Sequence, residues 1–310
     1  MIRQPGIDGL RSLLSIDWHE SFPTGAVPHM TIDIRPLTPH LGADVTGVDL
    51  NHLQSSDLQS IREAFARYGV LAFRGQNLDR EAHKAFGALF GDLHVHPSHR
   101  LRPGKTDPAI FTIRTTPSSA YTNGECWHTD LSCEPIPPMG SMLLVRELPG
   151  DSGGDTLFAN MGLAFEMLSP LMQAFLRTLT AVHDGRKDLA NYNVQLREDQ
   201  DYPGATHPVV IRHPLTGRET LFVNRTFTEH IPTLRRAESD ALLEMLWRHA
   251  ENNPRLHCRV RWSPGTLVFW DNYATWHHAV WDYFPNSRFA ERVTITGTAP
   301  PDAAMPASSA

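Results

Sequence analysis

The chain has 310 residues, 41% of them hydrophobic and 20% charged, with seven Trp, fourteen Phe and a formal net charge of −6. That length allows one large domain or two ordinary ones, and the apolar content supports a core and excludes a disordered chain. No stretch is rich in Lys or Arg, which excludes nucleic acid and a charged membrane surface as partners.

Residues 1–29 carry little periodicity and read as an N-terminal extension, with no charged n-region ahead of an apolar h-region. A domain over 30–298 follows, opening on strand-like TIDIRPL. Helical spacing appears over 55–69, where Leu58, Ile61, Phe65 and Tyr68 share a face, and again over 79–91, 163–179 and 236–250. In the last of these, Ser239 and Asp240 lie where a cap is expected. Strand-like runs occupy 70–75, 141–148, 207–214, 219–224, 257–262, 266–272 and 291–297, and the later ones are separated by Pro/Gly turns. Helices and strands do not alternate regularly, so the pattern predicts a mainly β fold with flanking helices, a β-sandwich or jelly roll, rather than a doubly wound sheet. The tail over 299–310 is rich in Pro, Ala and Ser and reads as disordered. No apolar run approaches the length of a membrane span. The three Cys (Cys126, Cys133, Cys258) lack C-x-x-C spacing, which argues against a zinc ribbon and suits a reducing cytoplasm.

Seventeen His is the compositional hint of metal or acid–base work. Within ECWHTDL, His128 and Asp130 stand two apart, and on an extended segment both would address one side. An H-x-D tripeptide is expected about once by chance in such a chain, so alone it carries little. The one H-x-E, His249 to Glu251, ends an amphipathic helix and reads as a solvated helix end. Downstream, WDNYATWHHAVWDYFPNSRFAERVTITG brings two adjacent histidines and then two arginines. Two His and one carboxylate are the facial triad of non-haem Fe(II) oxygenases, which leaves positions open for a cosubstrate and dioxygen. An oxo-acid cosubstrate has a distal carboxylate that suits a bidentate arginine. Arg288 and Arg292 share one strand face; the alternative to anion binding is an ion pair with Asp282 or Glu291.

WHTD, GGDT at 153–156 and WDN-x-AT-x-H followed by Arg288 together resemble the taurine dioxygenase/chlorophenoxyacetate dioxygenase family, from about Met30 to Gly297. GADVTGVDL, FGDLHVHP, LFVN and DY add to the likeness. The resemblance implies a double-stranded β-helix (jelly roll, cupin-like) and a dioxygenase that uses Fe(II), 2-oxoglutarate and dioxygen. It implies His128, Asp130 and His277 as catalytic iron ligands, and Thr156 with Arg288 as the pair that binds the far carboxylate of 2-oxoglutarate. It implies His96, His99, Leu131, Phe227 and Arg292 as substrate contacts, with Arg292 as an anion clamp. Gly124 stands where the family has an asparagine, His99 where it has a tyrosine, Leu189 where it has a second phenylalanine and Tyr273 where it has an arginine.

The resemblance implies oxidative decarboxylation to succinate and hydroxylation of a small anionic substrate, most simply a taurine-like sulfonate with sulfite release. A sulfate ester, an aryloxyalkanoate or a natural-product intermediate is the alternative substrate, and a non-enzymatic metal-binding jelly roll the distant alternative function. Asp130 disfavours halogenation, because related halogenases have a small residue there. A homodimer or homotetramer is the implied assembly. His94 and His278 remain open as pocket residues. Trp127, Trp270 and Trp276 read as core walls, Cys126 and Cys133 as small buried residues, and His207 and His213 as structural.

Overall fold

The computed structural model describes residues 31–101 and 107–304. The proposed 1–29 extension lies outside the described residues. Among them, seven strands form one large sheet, in the order Asp33–Pro36, Ala43–Thr46, Val70–Phe73, Leu267–Asp271, Gly140–Glu147, Arg288–Ile295, Phe111–Thr115. All neighbours are antiparallel except Ala43–Thr46 beside Val70–Phe73. A small sheet of His257–Val260, Thr156–Asn160 and Thr275–Ala279 packs on one face of it.

Side chains alternate across a strand, so an apolar run with no polar partner face needs cover on both sides. Val70, Ala72, Leu143, Val145, Val268 and Trp270 turn toward Phe158, Cys258 and Val260 of the small sheet. Leu71, Phe73, Met142, Leu144, Leu267 and Phe269 turn the other way, onto Ile61, Ala64, Phe65 and Phe86 of the helices Ser55–Tyr68 and Arg80–Ala88. A further core joins the small sheet to the helices Met161–Glu166, Pro170–Leu176 and Arg236–Glu251. Two mostly antiparallel sheets stacked face to face with helices outside make a jelly roll, the fold that the resemblance implies.

Several boundaries differ from the sequence reading, each for a local reason. The helix expected over 163–179 is two helices, because Pro170 lacks the N–H to continue the first and Ser169 caps the second by accepting the Met172 N–H at 3.3 Å. Arg236–Glu251 is not capped by Ser239 or Asp240. Glu238 accepts the Arg235 N–H at 3.0 Å, and the Ser239 hydroxyl takes the Ile231 N–H at 2.9 Å. The run over 207–214 splits at Pro208 into Gly204–Pro208 and Val210–Arg212, which belong to different sheets. Of the tail read as disordered, residues 299–304 are described, and they include a short strand. Asp302–Ala303 pairs with Arg212 and Ile211, and Ala304 is buried because its methyl joins the helical core.

The Phe65 and Phe269 rings stack at 3.9 Å with 13° between planes, tying the first helix to the centre of the large sheet. Phe269→Ala is expected to cost about 3–5 kcal/mol of stability in a denaturant titration; a loss below about 1 kcal/mol would mean that the sheet is held elsewhere.

Candidate active site

His277 lies in Thr275–Ala279, hydrogen-bonded on one side to Thr156–Asn160. On the other side it meets His128 in an isolated antiparallel bridge, with His128 N–H to His277 O at 3.0 Å and His277 N–H to His128 O at 2.7 Å. Such a reciprocal pair puts both side chains on the same face, and the imidazole centroids lie 4.0 Å apart. Asp130 reaches the same point from a turn, not from the extended segment expected, since only His128 of the tripeptide is in the bridge. Thr129 anchors that turn by donating to Asn272 O at 2.5 Å, and Leu131 adopts a left-handed φ of 49°. Asp130 Oδ1 is 3.9 Å from Nε2 of both histidines, and the three candidate ligand atoms lie within 4.8 Å of one another.

The protonation states fit a divalent metal. His128 Nδ1 faces the Cys126 carbonyl at 2.7 Å and must carry the proton there, so the Nε2 lone pair points at the cluster. Burial pushes both imidazoles below their ordinary pKa, and for His277 the neighbouring His128 adds to the effect. Burial pushes the Asp130 carboxyl up, but Arg292, His277, His128 and the Ser141 hydroxyl outweigh it and hold the group well below the usual carboxylate range. Two neutral imidazole nitrogens and one ionised carboxylate are the donor set that Fe(II) takes in a facial triad. Ser141 Oγ donates to Asp130 Oδ2 at 2.7 Å and accepts from Asn272 Nδ2 at 3.3 Å, which fixes the carboxylate's rotation.

A cavity of about 540 Å³ opens over the triad and contains both arginines, Thr156, His96 and His99 in its wall. Arg288 and Arg292 do share one face of Arg288–Ile295, both buried. Neither pairs with Asp282 or Glu291. Glu291 is taken by Arg80 and Arg146 at 2.6 and 2.8 Å, and Asp282 accepts the Gly154 N–H at 2.8 Å and faces Arg259. Arg292 Nη1 pairs instead with Asp130 Oδ1, its Nε has no protein partner, and its guanidinium lies 5.0 Å from the Phe111 ring. Arg288 has no carboxylate partner among the described residues, its Nε is likewise unpaired, and it sits 5.5 Å over Trp262. Gly154, at φ 83°, lets it do so: a Cβ there would be 3.0 Å from Arg288 Cδ. Beside it, the Thr156 hydroxyl accepts the Trp262 indole N–H at 3.2 Å.

The sequence profile of the taurine catabolism dioxygenase TauD, TfdA family matches residues 33–294. The chain belongs to that family. A sulfonate dioxygenase dependent on alpha-ketoglutarate from Saccharomyces cerevisiae is 34% identical over 275 residues, 85% of this chain and 66% of that longer one. A sulfate ester dioxygenase of the same dependence from Pseudomonas putida is 31% identical over 289 residues, 88% of this chain and 92% of its own. The crystal structure of a taurine dioxygenase from Burkholderia xenovorans superposes with a TM-score of 0.74 at 35% identity, covering 87% of this chain and 92% of that one. The protein is an alpha-ketoglutarate-dependent dioxygenase whose cofactor is Fe(II) and whose cosubstrates are 2-oxoglutarate and dioxygen.

The remaining residues singled out in the sequence fall into two groups. Leu131, Phe227 and Leu189 line the dioxygenase cavity, Leu131 and Phe227 packing on each other with Cys133. His96 stacks on Phe111 at 4.3 Å, and its Nδ1 takes the Ser98 N–H at 3.2 Å, leaving Nε2 as its N–H. Gly124, at φ 81°, backs His128 so closely that a Cβ would lie 3.1 Å from the ring, so a larger residue there would press on the imidazole. Outside the cavity wall stand His94, bound to Glu134 at 2.8 Å, and His278, packed 5.5 Å from Trp127. Tyr273 is a core residue whose hydroxyl donates to Pro137 O at 2.8 Å, and His213 is locked to Asp271 at 2.7 Å. His249 and Glu251 are not a solvated end: His249 bonds Ala164 O at 2.8 Å and Glu251 holds Arg225 at 2.9 Å. Trp270 is both core and cavity wall. Phe111, Ser141, Asp188, Tyr192 and Trp262 belong to the site but were not singled out in the sequence; of these, the F-T-I-R-T alternation that starts at Phe111 was a readable strand signal.

Removing the hydroxyl that steers Asp130 tests the site directly. Ser141→Ala is expected to weaken Fe(II) binding about 10–100-fold in a metal titration, with the fold intact by circular dichroism; unaltered affinity would show that Asp130 needs no support.

Proposed function

We propose that the dioxygenase hydroxylates a small alkylsulfonate of the taurine type at the carbon that bears sulfur. The observation that carries this reading is the pair of buried arginines on one strand face of the cavity, Arg288 without a carboxylate partner and Arg292 with a free Nε edge. His128, Asp130 and His277 hold Fe(II), which with 2-oxoglutarate and dioxygen supplies the oxidising power for an unactivated C–H bond. Arg288, with the Thr156 hydroxyl, takes the far carboxylate of 2-oxoglutarate. A guanidinium donates along two edges, so Arg292 can keep Nη1 on Asp130 and turn Nε toward the sulfonate. His96 adds its Nε2–H to the same anion; His99, Leu131 and Phe227 enclose the carbon chain and exclude water.

The overall balance consumes one dioxygen: one oxygen atom enters succinate, formed with carbon dioxide, and the other enters the substrate as hydroxyl. The hydroxylated carbon then forms a carbonyl as the C–S bond breaks, the electron pair leaving with sulfite and the hydroxyl proton leaving to solvent. A second reading, an alkyl sulfate ester that yields sulfate and an aldehyde, is favoured by the roughly 540 Å³ cavity and its aromatic walls. No helix of the described residues is long and apolar enough to cross a membrane, and three free cysteines support a cytoplasmic setting. Leu171 and Phe175, exposed on Pro170–Leu176, support a homodimer or homotetramer.

A product screen separates the two substrates. Sulfite is expected from short alkylsulfonates in one-to-one ratio with succinate, and sulfate from alkyl sulfates alone would move the assignment to the second reading. Arg292→Ala is expected to raise KM for the best substrate about tenfold or more; an unaltered KM would remove Arg292 from substrate binding.

A further inference from the structure

The turn that carries Asp130 is held from behind by polar side chains outside the cavity wall. Ser132, His183 and Asn224 are each fully buried, and they come from three separate parts of the chain. Ser132 follows Asp130 by two residues, His183 lies in the strand Thr180–Asp184, and Asn224 precedes the strand Thr228–His230. Asn224 Nδ2 donates to Ser132 Oγ at 2.8 Å, and the Ser132 hydroxyl meets His183 Nδ1 at 2.9 Å. Asn224 Oδ1 accepts the Phe227 N–H at 2.9 Å, so the same amide also fixes the residue that packs on Leu131. We infer that Ser132, His183 and Asn224 are positioning residues for the dioxygenase, a buried brace that holds the backbone of Asp130 and Leu131 in place for metal binding.

The inference rests on Asp130 as an iron ligand and is independent of the choice of substrate. Leu131 has a left-handed φ of 49°, a conformation that is costly for a residue with a side chain and persists only where the surroundings over-determine it. The next residue is Ser132, whose hydroxyl is held on two sides. Further along the turn, the Glu134 N–H donates to Leu131 O at 2.9 Å and the Glu134 carboxylate meets His94 at 2.8 Å. The directions of the brace follow from its donors and acceptors. The Phe227 N–H claims the amide oxygen of Asn224, so its Nδ2 is the end that donates to Ser132. The single hydroxyl proton of Ser132 is then free for His183 Nδ1. Burial holds that imidazole well below its ordinary pKa, so the ring is neutral and Nδ1 can accept. Loss of any one member leaves a buried polar partner unmatched, which loosens the turn. Ser141 sets the rotation of the Asp130 carboxylate, whereas the brace sets the backbone from which that carboxylate starts. A metal site needs both, since its donors must be held to within about 0.5 Å.

The test measures Fe(II) affinity without oxygen, and the visible absorption of the Co(II)-loaded protein, whose bands follow ligand geometry. Ser132→Ala is expected to weaken Fe(II) binding about tenfold or more and to shift the Co(II) bands, with the circular dichroism of the wild type. His183→Asn keeps an oxygen acceptor where Nδ1 stands and is expected to bind Fe(II) nearly as the wild type does. His183→Leu, which has no acceptor, is expected to match Ser132→Ala. A lowered melting temperature in Ser132→Ala, with unaltered Fe(II) affinity and Co(II) spectrum, overturns the inference while Asp130 stands as a ligand. If Ser132→Ala does not fold, the two His183 variants decide, and equal Fe(II) affinity in both overturns the inference. If the wild type binds no Fe(II), the ligand assignment and the inference fall together.

Discussion

Two backbone hydrogen bonds, exchanged between His128 and His277 at 3.0 and 2.7 Å, are the constraint on which the site depends. A reciprocal antiparallel pair leaves its two residues no choice of face, so imidazoles far apart in the chain stand side by side before any metal is considered. The strand Thr275–Ala279 is itself held by Thr156–Asn160, so the same small sheet that carries the second histidine carries Thr156. The turn through Thr129 and Leu131 then needs only to swing one carboxylate under the rings, and Ser141 on the large sheet holds it there. The site is thus built where two sheets face each other, on rigid strands with loops supplying the remaining wall.

The electrostatics follow from that placement. Between the sheets a buried charge is costly unless it is paired, by the protein or by a bound ion. Arg292 stabilises the ionised form of Asp130, and burial keeps the histidines neutral; together these preserve a metal-ready donor set over a wide pH range. Glu291, between the two cavity arginines in sequence, points to the opposite face and is satisfied by Arg80 and Arg146. Strand alternation therefore separates a structural ion-pair cluster from a functional one within five residues, Arg288 to Arg292.

What was legible in the sequence depended on which face a strand shows. Val70–Phe73, Gly140–Glu147 and Leu267–Asp271 were recognisable because apolar cover on both faces makes them continuous apolar runs. Thr156–Asn160 and Thr275–Ala279 were not read as strands, because Thr156 and His277 are turned to the cavity and interrupt the apolar pattern with polar residues. The residues that make the chemistry thus hide the elements that carry them. The ligand set emerged from motif order across the chain, since no local pattern connects His128 with a residue so distant. Asp188, in the helix Gly185–Asn191, and Tyr192, directly after it, went unread because so short a helix shows hardly two turns of periodicity. Their side chains matter through what they face, which sequence spacing does not display.

In the proposed function, 2-oxoglutarate turnover depends on an iron held by His128, Asp130 and His277. Succinate formation from 2-oxoglutarate, measured with and without Fe(II) in the wild type and in Asp130→Ala, addresses it most directly. Iron-dependent succinate in the wild type and its loss in the variant are the predicted results. Equal succinate formation by the variant at the same iron concentration would contradict the assignment of the site.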